Sequence, residues 1–591
     1  MSVSAISSDP TSSDLTSNVI PSTAPDGTSY SDTTSGQINF SGLGSGTDFS
    51  SMINELVGVE EMRVTSLQTW QQTWADKQSA FQILNTQLLS LRTTLQGMDT
   101  LGSFLQKTVT SSVATAVTAT AGNGADDTAH NIQVVQLAEN KVLVTSNGYA
   151  STSTVINTSN ASEIFAYDYK GVLTSVTIPP GSTLNDLTNL INSGQAYSSN
   201  AGVKAGILYD GTSYYLQLRA MDTGSAATLV VDASTTLAGF SNSRFQVAQD
   251  NKNALLKLDG WPIGAGAYLS RQTNTVSDLI PGITLSLLST VSNVSLVAQN
   301  DDAAITQNVN TFVSQFNQVL TTYNSLTKVD TTNGQGSLLT GNYGLDIIQS
   351  DLLDTVTGAA PGTDPSRDLY TSLSQFGINI DDNEGSTTEG LLLVSNTTLQ
   401  NVLVSNADAL GMVFAASFSG DTNSGDFSYQ SYVPGLTQPG IYPVDYSVSN
   451  GTITSASING HPAAIDNKNH EITGSPGQNE SGVSLQISNL TSGNYSGNVY
   501  LKQGISGALN TVLGTLTDST NGPLAILEAN YTDIQNDIQD QINSEQERIT
   551  QYAANLKTQY AALDALLGTY SQQQSSLSSQ ITQMNSSTAV A

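Results

Sequence analysis

The sequence predicts an α+β multidomain protein, with long terminal coiled-coil helices and a helical domain, and antiparallel β-rich domains inserted between them. Three observations lead there. Apolar residues recur every seven positions near both ends of the chain. The material between is largely short Val-, Thr-, Ile- and Tyr-rich runs, separated by Gly, Asn and Asp. The length of 591 residues suits about four domains at ~150 residues each.

The elements follow in order. Residues 1–38 are polar, carry no Lys or Arg and hold no apolar run, so they are expected to form a disordered leader that cannot offset its ordering entropy. The first helix is expected to start at Thr47 or Asp48, capping residues placed just before Phe49, Met52, Ile53 and Leu56. Leu67, Trp74, Phe81, Leu88 and Leu95 then recur every seven residues. Trp70, Leu84, Leu91 and Met98 fill the second seam, with Lys77 its polar entry. That spacing of 3.5 is the coiled-coil period. From 108 to 297 the pattern turns to β and reads as one or two β-rich domains, with a helical patch at Leu184 to Ile191.

Helix is expected again at Asn300, on the stripe Ile305, Val309, Phe312, Phe316, Val319 and Tyr323. Two more helices are expected at Tyr343 to Val356 and Leu399 to Val413, with a hairpin between them. Residues 417–503 read as a separate inserted β-rich domain. The last ninety or so residues are helical, with Ile542, Ile549, Leu556, Leu563, Tyr570, Leu577 and Met584 spaced by seven. An apolar seam on a lone helix would not be soluble, so 39–66 and 545–591 are expected to fold into one antiparallel stalk. The helical domain is expected from 67–107, 298–416 and 504–544.

Composition excludes several functions. Asp and Glu outnumber Lys and Arg by 49 to 18, for a net charge of −31. Such a chain repels phosphate, so nucleic acid is not an expected partner, nor are anionic lipid heads. With no cysteine, disulfides, thiol catalysis and Cys-based zinc sites are ruled out. No apolar run reaches the length of a membrane span, and no secretory leader is recognisable at the start. The chain is therefore expected to be cytosolic or to leave by a route that reads no such leader.

The motifs that resemble chemistry have plainer readings. Gly42–Gly46 lacks the third glycine and the βαβ setting of a dinucleotide loop, and reads as a hinge or helix entry. Asp381–Gly385 places its glycine at position five rather than six of a calcium loop, and reads as an acidic turn. The pairs Asp126–Asp127, Glu60–Glu61 and Asp301–Asp302 sit in turns or at helix starts, where solvation or the helix dipole explains them. His461 and His470 lack a third zinc ligand. Trp70 and Trp74 read as seam packing. No catalytic, cofactor or metal residue is expected, and the chain is not read as an enzyme.

Several segments resemble the flagellar filament-capping family, the flagellar hook-associated protein 2 family. They are INFSGLGSGTDFSSMINELVGVEE at 38–61, HNIQVVQLAENKVL at 130–143, NTVSDLIPGITLSLL at 274–288 and TFVSQFNQVLTTYNSL at 311–326. GSLLTGNYGLDIIQSDL, SLSQFGINI with GLLLV, and YAALDALLGTYSQQQSSLSSQI at 560–581 complete the order. Three features depart from the family pattern: the leader of 1–38, a missing proline after Glu60–Glu61, and the β domain at 417–503.

The resemblance implies an exported assembly factor at the distal tip of the bacterial flagellum. It would leave through the type III export channel without a cleaved leader and form a homo-oligomeric ring, commonly of about five subunits. It would promote the folding and insertion of flagellin and prevent its loss to the medium. Implied partners are flagellin and the filament tip, the hook–filament junction protein, and a cytosolic export chaperone on the C-terminal helix. By the same resemblance, filament-tip and stalk contacts fall on Phe49, Met52, Ile53, Leu56, Leu67, Trp70, Trp74, Phe81, Ile549, Leu556, Tyr560, Leu563, Leu566, Leu577 and Ile581. The alternatives are another axial flagellar protein, or an extracellular adhesin of the same acidic β-rich type.

Overall fold

The structure is a computed structural model and describes residues 49–588, apart from 123, 196–201 and 330–333. The expected leader, the Gly42–Gly46 turn and the Thr47 and Asp48 caps lie outside the described residues. The helices are α1 (Phe49–Gln96), α2 (Leu101–Phe104), α3 (Leu184–Gln195), α4 (Asp302–Thr327), α5 (Tyr343–Thr357), α6 (Asn396–Ala415), α7 (Ile505–Leu516) and α8 (Pro523–Thr588). Among the described residues the chain forms two compact units, one of 49–75 with 531–588 and one of 76–530.

The first unit is an antiparallel helix pair. Trp74 of α1 lies edge-on to Tyr531 of α8 at 5.1 Å, and Phe49 stacks on Tyr560 at 5.3 Å. Falling numbers on one helix thus meet rising numbers on the other. Between those ends Val64 packs with Ile538, Ile542 and Ile549, flanked by Leu67 and Ile534. Ion pairs join Arg63 to Glu545 at 3.2 Å and Arg548 to Glu60 at 2.5 Å. They are partly exposed, so they set register more than they add stability.

The second unit is built on a helical layer. Phe81, Leu84, Leu88, Leu91 and Leu95 of α1 are fully buried there, so the later heptads of that helix serve this core. Phe104 stacks on Phe414 at 4.5 Å, and Phe312 meets Phe414 edge-on at 5.2 Å. Side chains start the helices as the capping rule expects. Asp301 accepts from the Ala304 amide at 3.0 Å, and Asn342 from those of Gly344 and Leu345. Asn406 leaves helical geometry (φ −164°, ψ 69°) inside α6, and its side chain caps the second half at the Ala409 amide, 3.1 Å away.

Three β domains are inserted into this layer, one nested in another. The first has a five-stranded sheet in the order Lys107–Ser111, Val291–Asn300, Thr128–Gln136, Ala254–Leu258, Leu269–Arg271, and a three-stranded sheet. Ile132, Leu256, Leu285 and Val294 lie in its core. The second occupies the chain between Gln136 and Ala254. Its two sheets and α3 enclose Phe165, Tyr167, Tyr169, Leu187, Leu218 and Phe240. The span 108–297 therefore holds two cores.

The third lies within 417–503. A five-stranded and a four-stranded antiparallel sheet enclose Val444, Tyr446, Ile458, Leu485 and Val499. In each insertion the two ends are neighbours. Lys107 pairs with Asn300 in one sheet, Glu139 and Lys252 exchange backbone hydrogen bonds, and the Gly504 amide donates to the Ala416 carbonyl at 2.8 Å.

Candidate functional site

Helical spacing places two kinds of apolar surface on the terminal helices. On α1, Phe49 and Ile53 are 5% exposed, while Leu67 and Trp74 are half-buried against α8. Met52 (45%), Leu56, Val59 and Met62 are exposed. They follow one another at three or four residues, which puts them on one face. Val59 and Met62 extend the stripe begun by Met52 and Leu56. Sequence reading missed them because they fall off the heptad it followed, although their helical spacing was visible. Trp70 is 47% exposed and does not close the second seam. Phe81 is fully buried in the helical layer of the second unit. Its side chain has no surface to offer a filament, and its contribution is to that core.

The seven-residue repeat of α8 changes environment along its length. Ile542 and Ile549 are 3% and 2% exposed. Leu556 and Tyr560 are half-buried. Beyond them Leu563, Leu566, Tyr570, Leu577, Ile581 and Met584 are all exposed, Leu577 at 58% and Met584 at 69%. Asp564 is the last charged residue of the chain, and residues 565–591 carry none. This end of α8 therefore carries exposed apolar residues, four of them at heptad spacing, with no charged side chain after Asp564.

The other sequence candidates are structural. His461 Nδ1 lies 2.6 Å from Glu480 Oε1, and Asn459 donates to Glu480 Oε2 at 3.0 Å. These contacts satisfy a fully buried carboxylate. His130 pairs with Asp259 at 2.7 Å. Asp381 ties its own loop, accepting from Thr388 Oγ1 at 2.7 Å and from the Asn383 backbone and side-chain amides. Those donors, Thr388 first, hold its pKa down at about 2. Among the described residues no group of three His, Asp or Glu side chains is placed to hold a metal ion. No described helix is long and apolar enough to cross a membrane.

Comparison with known proteins bears on the terminal helices and the β domains together. The family described as flagellar hook-associated protein 2 C-terminus matches residues 251–572, and its companion, flagellar hook-associated protein 2 N-terminus, matches residues 45–141. The chain is 28% identical to the flagellar hook-associated protein 2 of Escherichia coli (strain K12), over 58% of this chain and 74% of that one. It is 25% identical to the B-type flagellar hook-associated protein 2 of Pseudomonas aeruginosa, over 64% of this chain and 80% of that one. Among solved structures, the D1–D2–D3 domains of the flagellar cap protein of Escherichia coli align with a TM-score of 0.46 at 25% identity, covering 57% of this chain and 91% of that one. The C-terminal profile alone spans more than half of the sequence, and the chain belongs to the flagellar hook-associated protein 2 family.

Proposed function

We propose that this protein caps the distal end of a bacterial flagellar filament and assists flagellin to fold and insert there. Family membership gives the cap role, and the uncharged apolar stripe from Leu566 to Met584 supports the site of action. A filament tip presents unfilled helical subunit positions, and an apolar heptad face is the complement that such positions accept. The stripe Met52, Leu56, Val59 and Met62 on α1 would add a second contact. The role needs no bond to be made or broken, so it asks for no catalytic group.

The finer reading is a homo-oligomeric ring of about five subunits, facing flagellin and, before filament growth, the hook–filament junction protein. Before export, a cytosolic chaperone would cover the C-terminal helix. That would keep an exposed apolar face from aggregating. The protein would pass the type III channel without a cleaved leader and act outside the cell.

The test is deletion of the gene followed by complementation. The deletion strain is expected to release unpolymerised flagellin and to carry short filaments or none. Full-length protein should restore filaments, and a variant with Leu566, Tyr570, Leu577 and Ile581 changed to Ser should not. Normal filaments in the deletion strain would overturn the cap reading. Full rescue by the serine variant would move the contact off α8.

A further inference from the structure

A polar groove of about 520 Å³ lies in the second unit, lined by Arg92, Asn510, Thr511, Gly514, Asp518 and Asn521 among others. Arg92 is the feature that needs explaining. Among the described residues Arg63, Arg271, Arg367 and Arg548 each hold a carboxylate. Arg219 and Arg244 are exposed, whereas Arg92 is partly buried and has no carboxylate within ion-pair distance among the described residues. Its Nε donates to Asn510 Oδ1 at 3.1 Å, an oxygen that also receives Gln96 Nε2 at 3.4 Å. Among the described residues, both terminal nitrogens of the guanidinium are left without an acceptor.

The surroundings favour an incoming anion. Gly514 faces the guanidinium, and a Cβ there would lie 3.2 Å from Nη2 and 3.4 Å from Cζ, so glycine keeps that group uncovered. The Nδ2 amides of Asn510 and Asn521 line the same groove and have no acceptor among the described residues. Asp518 also lines the groove, but among the described residues it makes no ion pair with Arg92; its Oδ1 accepts from the Thr520 and Asn521 amides at 3.0 and 2.7 Å, which holds it to its own turn. Several donors and one fork-shaped cation, with Asp518 at the same wall, therefore line a space large enough for an acidic side chain and its backbone. Arg pairs best with a carboxylate in the two-bond arrangement that its terminal nitrogens offer.

We propose that this groove is a carboxylate-binding site, filled by an aspartate or glutamate side chain of a second copy of this chain. Each copy carries 49 acidic residues against 18 basic ones. A carboxylate is therefore the commonest charged group that a second copy can bring, and like charges juxtaposed without a cation oppose association. The choice of a second copy rests on the ring reading above, whereas the carboxylate chemistry rests on the groove alone.

The experiment uses the full chain and an arginine-selective probe, p-hydroxyphenylglyoxal, with modified positions mapped by peptide mass spectrometry. Sedimentation velocity follows assembly over the same concentrations. Labelling of Arg92 is expected to fall at least about fivefold as copies associate, with Arg219 and Arg244 as internal references. Arg92→Gln is expected to weaken self-association at least about tenfold, measured at a temperature where its melting curve shows it fully folded. Association with Arg92 still reactive, or unaltered in the variant, overturns the proposal, as does protection that appears only when flagellin is added. If the chain stays monomeric, both the ring and the second-copy occupant fall. The carboxylate site then stands only if N-acetylglutamate, and not N-acetylglutamine, protects Arg92. The labelling arm uses the unaltered chain, so misfolding of the variant leaves it intact.

Discussion

Ile549 and Leu577 occupy the same heptad position of one helix, four repeats apart in sequence terms, and meet opposite surroundings. Ile549 is 2% exposed against Val64, and Leu577 is 58% exposed. Ile549→Ala should therefore cost the helix pair about 2–4 kcal/mol by removing buried methyls and leaving a cavity. Leu577→Ser should change the melting curve by less than about 0.5 kcal/mol and still impair filament growth. Chemical denaturation followed by a motility assay separates the two. Asp381 allows a pH prediction. Its folded-state pKa, about 2, lies below the ordinary 3.8, so its ionised form stabilises the fold above 3.8, and that contribution fades as pH falls toward 2. Asp381→Asn should destabilise the second unit at neutral pH, and the gap from the unaltered chain should close between pH 4 and 2. A gap that persists unchanged at pH 2 would assign the effect to lost packing instead.

Elements show where local pattern yields to context. The heptads of α1 continue from Leu67 to Leu95, yet Leu67 and Trp74 pack on α8 while Phe81, Leu88 and Leu95 belong to the helical layer. Periodicity states which face is apolar, and it does not name what covers that face. The break in α6 at Asn406 was likewise unmarked, since an asparagine inside an apolar helix is also compatible with an unbroken one. The segment that follows α5 and packs against the third β domain has a stricter requirement. Gly362 has φ +78°, and a Cβ there would lie 2.1 Å from the Leu501 carbonyl oxygen. The neighbouring Arg367 lies 4.2 Å over the Tyr500 ring and pairs with Asp421 at 3.0 Å, while Lys502 pairs with Asp368 at 2.6 Å. Gly362→Ala should cost at least about 1–2 kcal/mol from the left-handed backbone alone, and more as the segment shifts. Hydrogen exchange should show loss of protection at the Gln503 amide, which now donates to Pro361 at 3.0 Å.

At the scale of the whole molecule, the second unit is assembled by insertion. Ala416 and Gly504 are joined by a backbone hydrogen bond, and the third β domain has its own apolar core. Replacing 418–502 by a short Gly-Ser linker is therefore expected to leave the rest of the chain folded, since domain insertions are tolerated where the two ends adjoin. Cooperative melting of the shortened chain within a few degrees of the parent's remaining transition would bear this out. Loss of all cooperative melting would show that the insertion supports the helical layer.

The sequence by itself determined the period of each segment, and with it the terminal helices, the β-rich middle and the composition of a cysteine-free acidic surface. These are local properties, set by spacing of 2, 3.5 or 3.6 and by capping and turn residues such as Asp301 and Asn342. It also carried the family resemblance, because several short segments survive in order. Tertiary structure alone decided that 108–297 divides into two nested cores. Strands that share a sheet, such as Thr128–Gln136 and Ala254–Leu258, lie more than a hundred residues apart, and no local pattern encodes such a pairing. It also decided which residues of one continuous heptad are covered, Ile542 and Ile549, and which are left open, Leu577 and Met584. The physical reason is the same in both cases: burial depends on what lies opposite a side chain, and that is fixed only when distant parts of the chain meet.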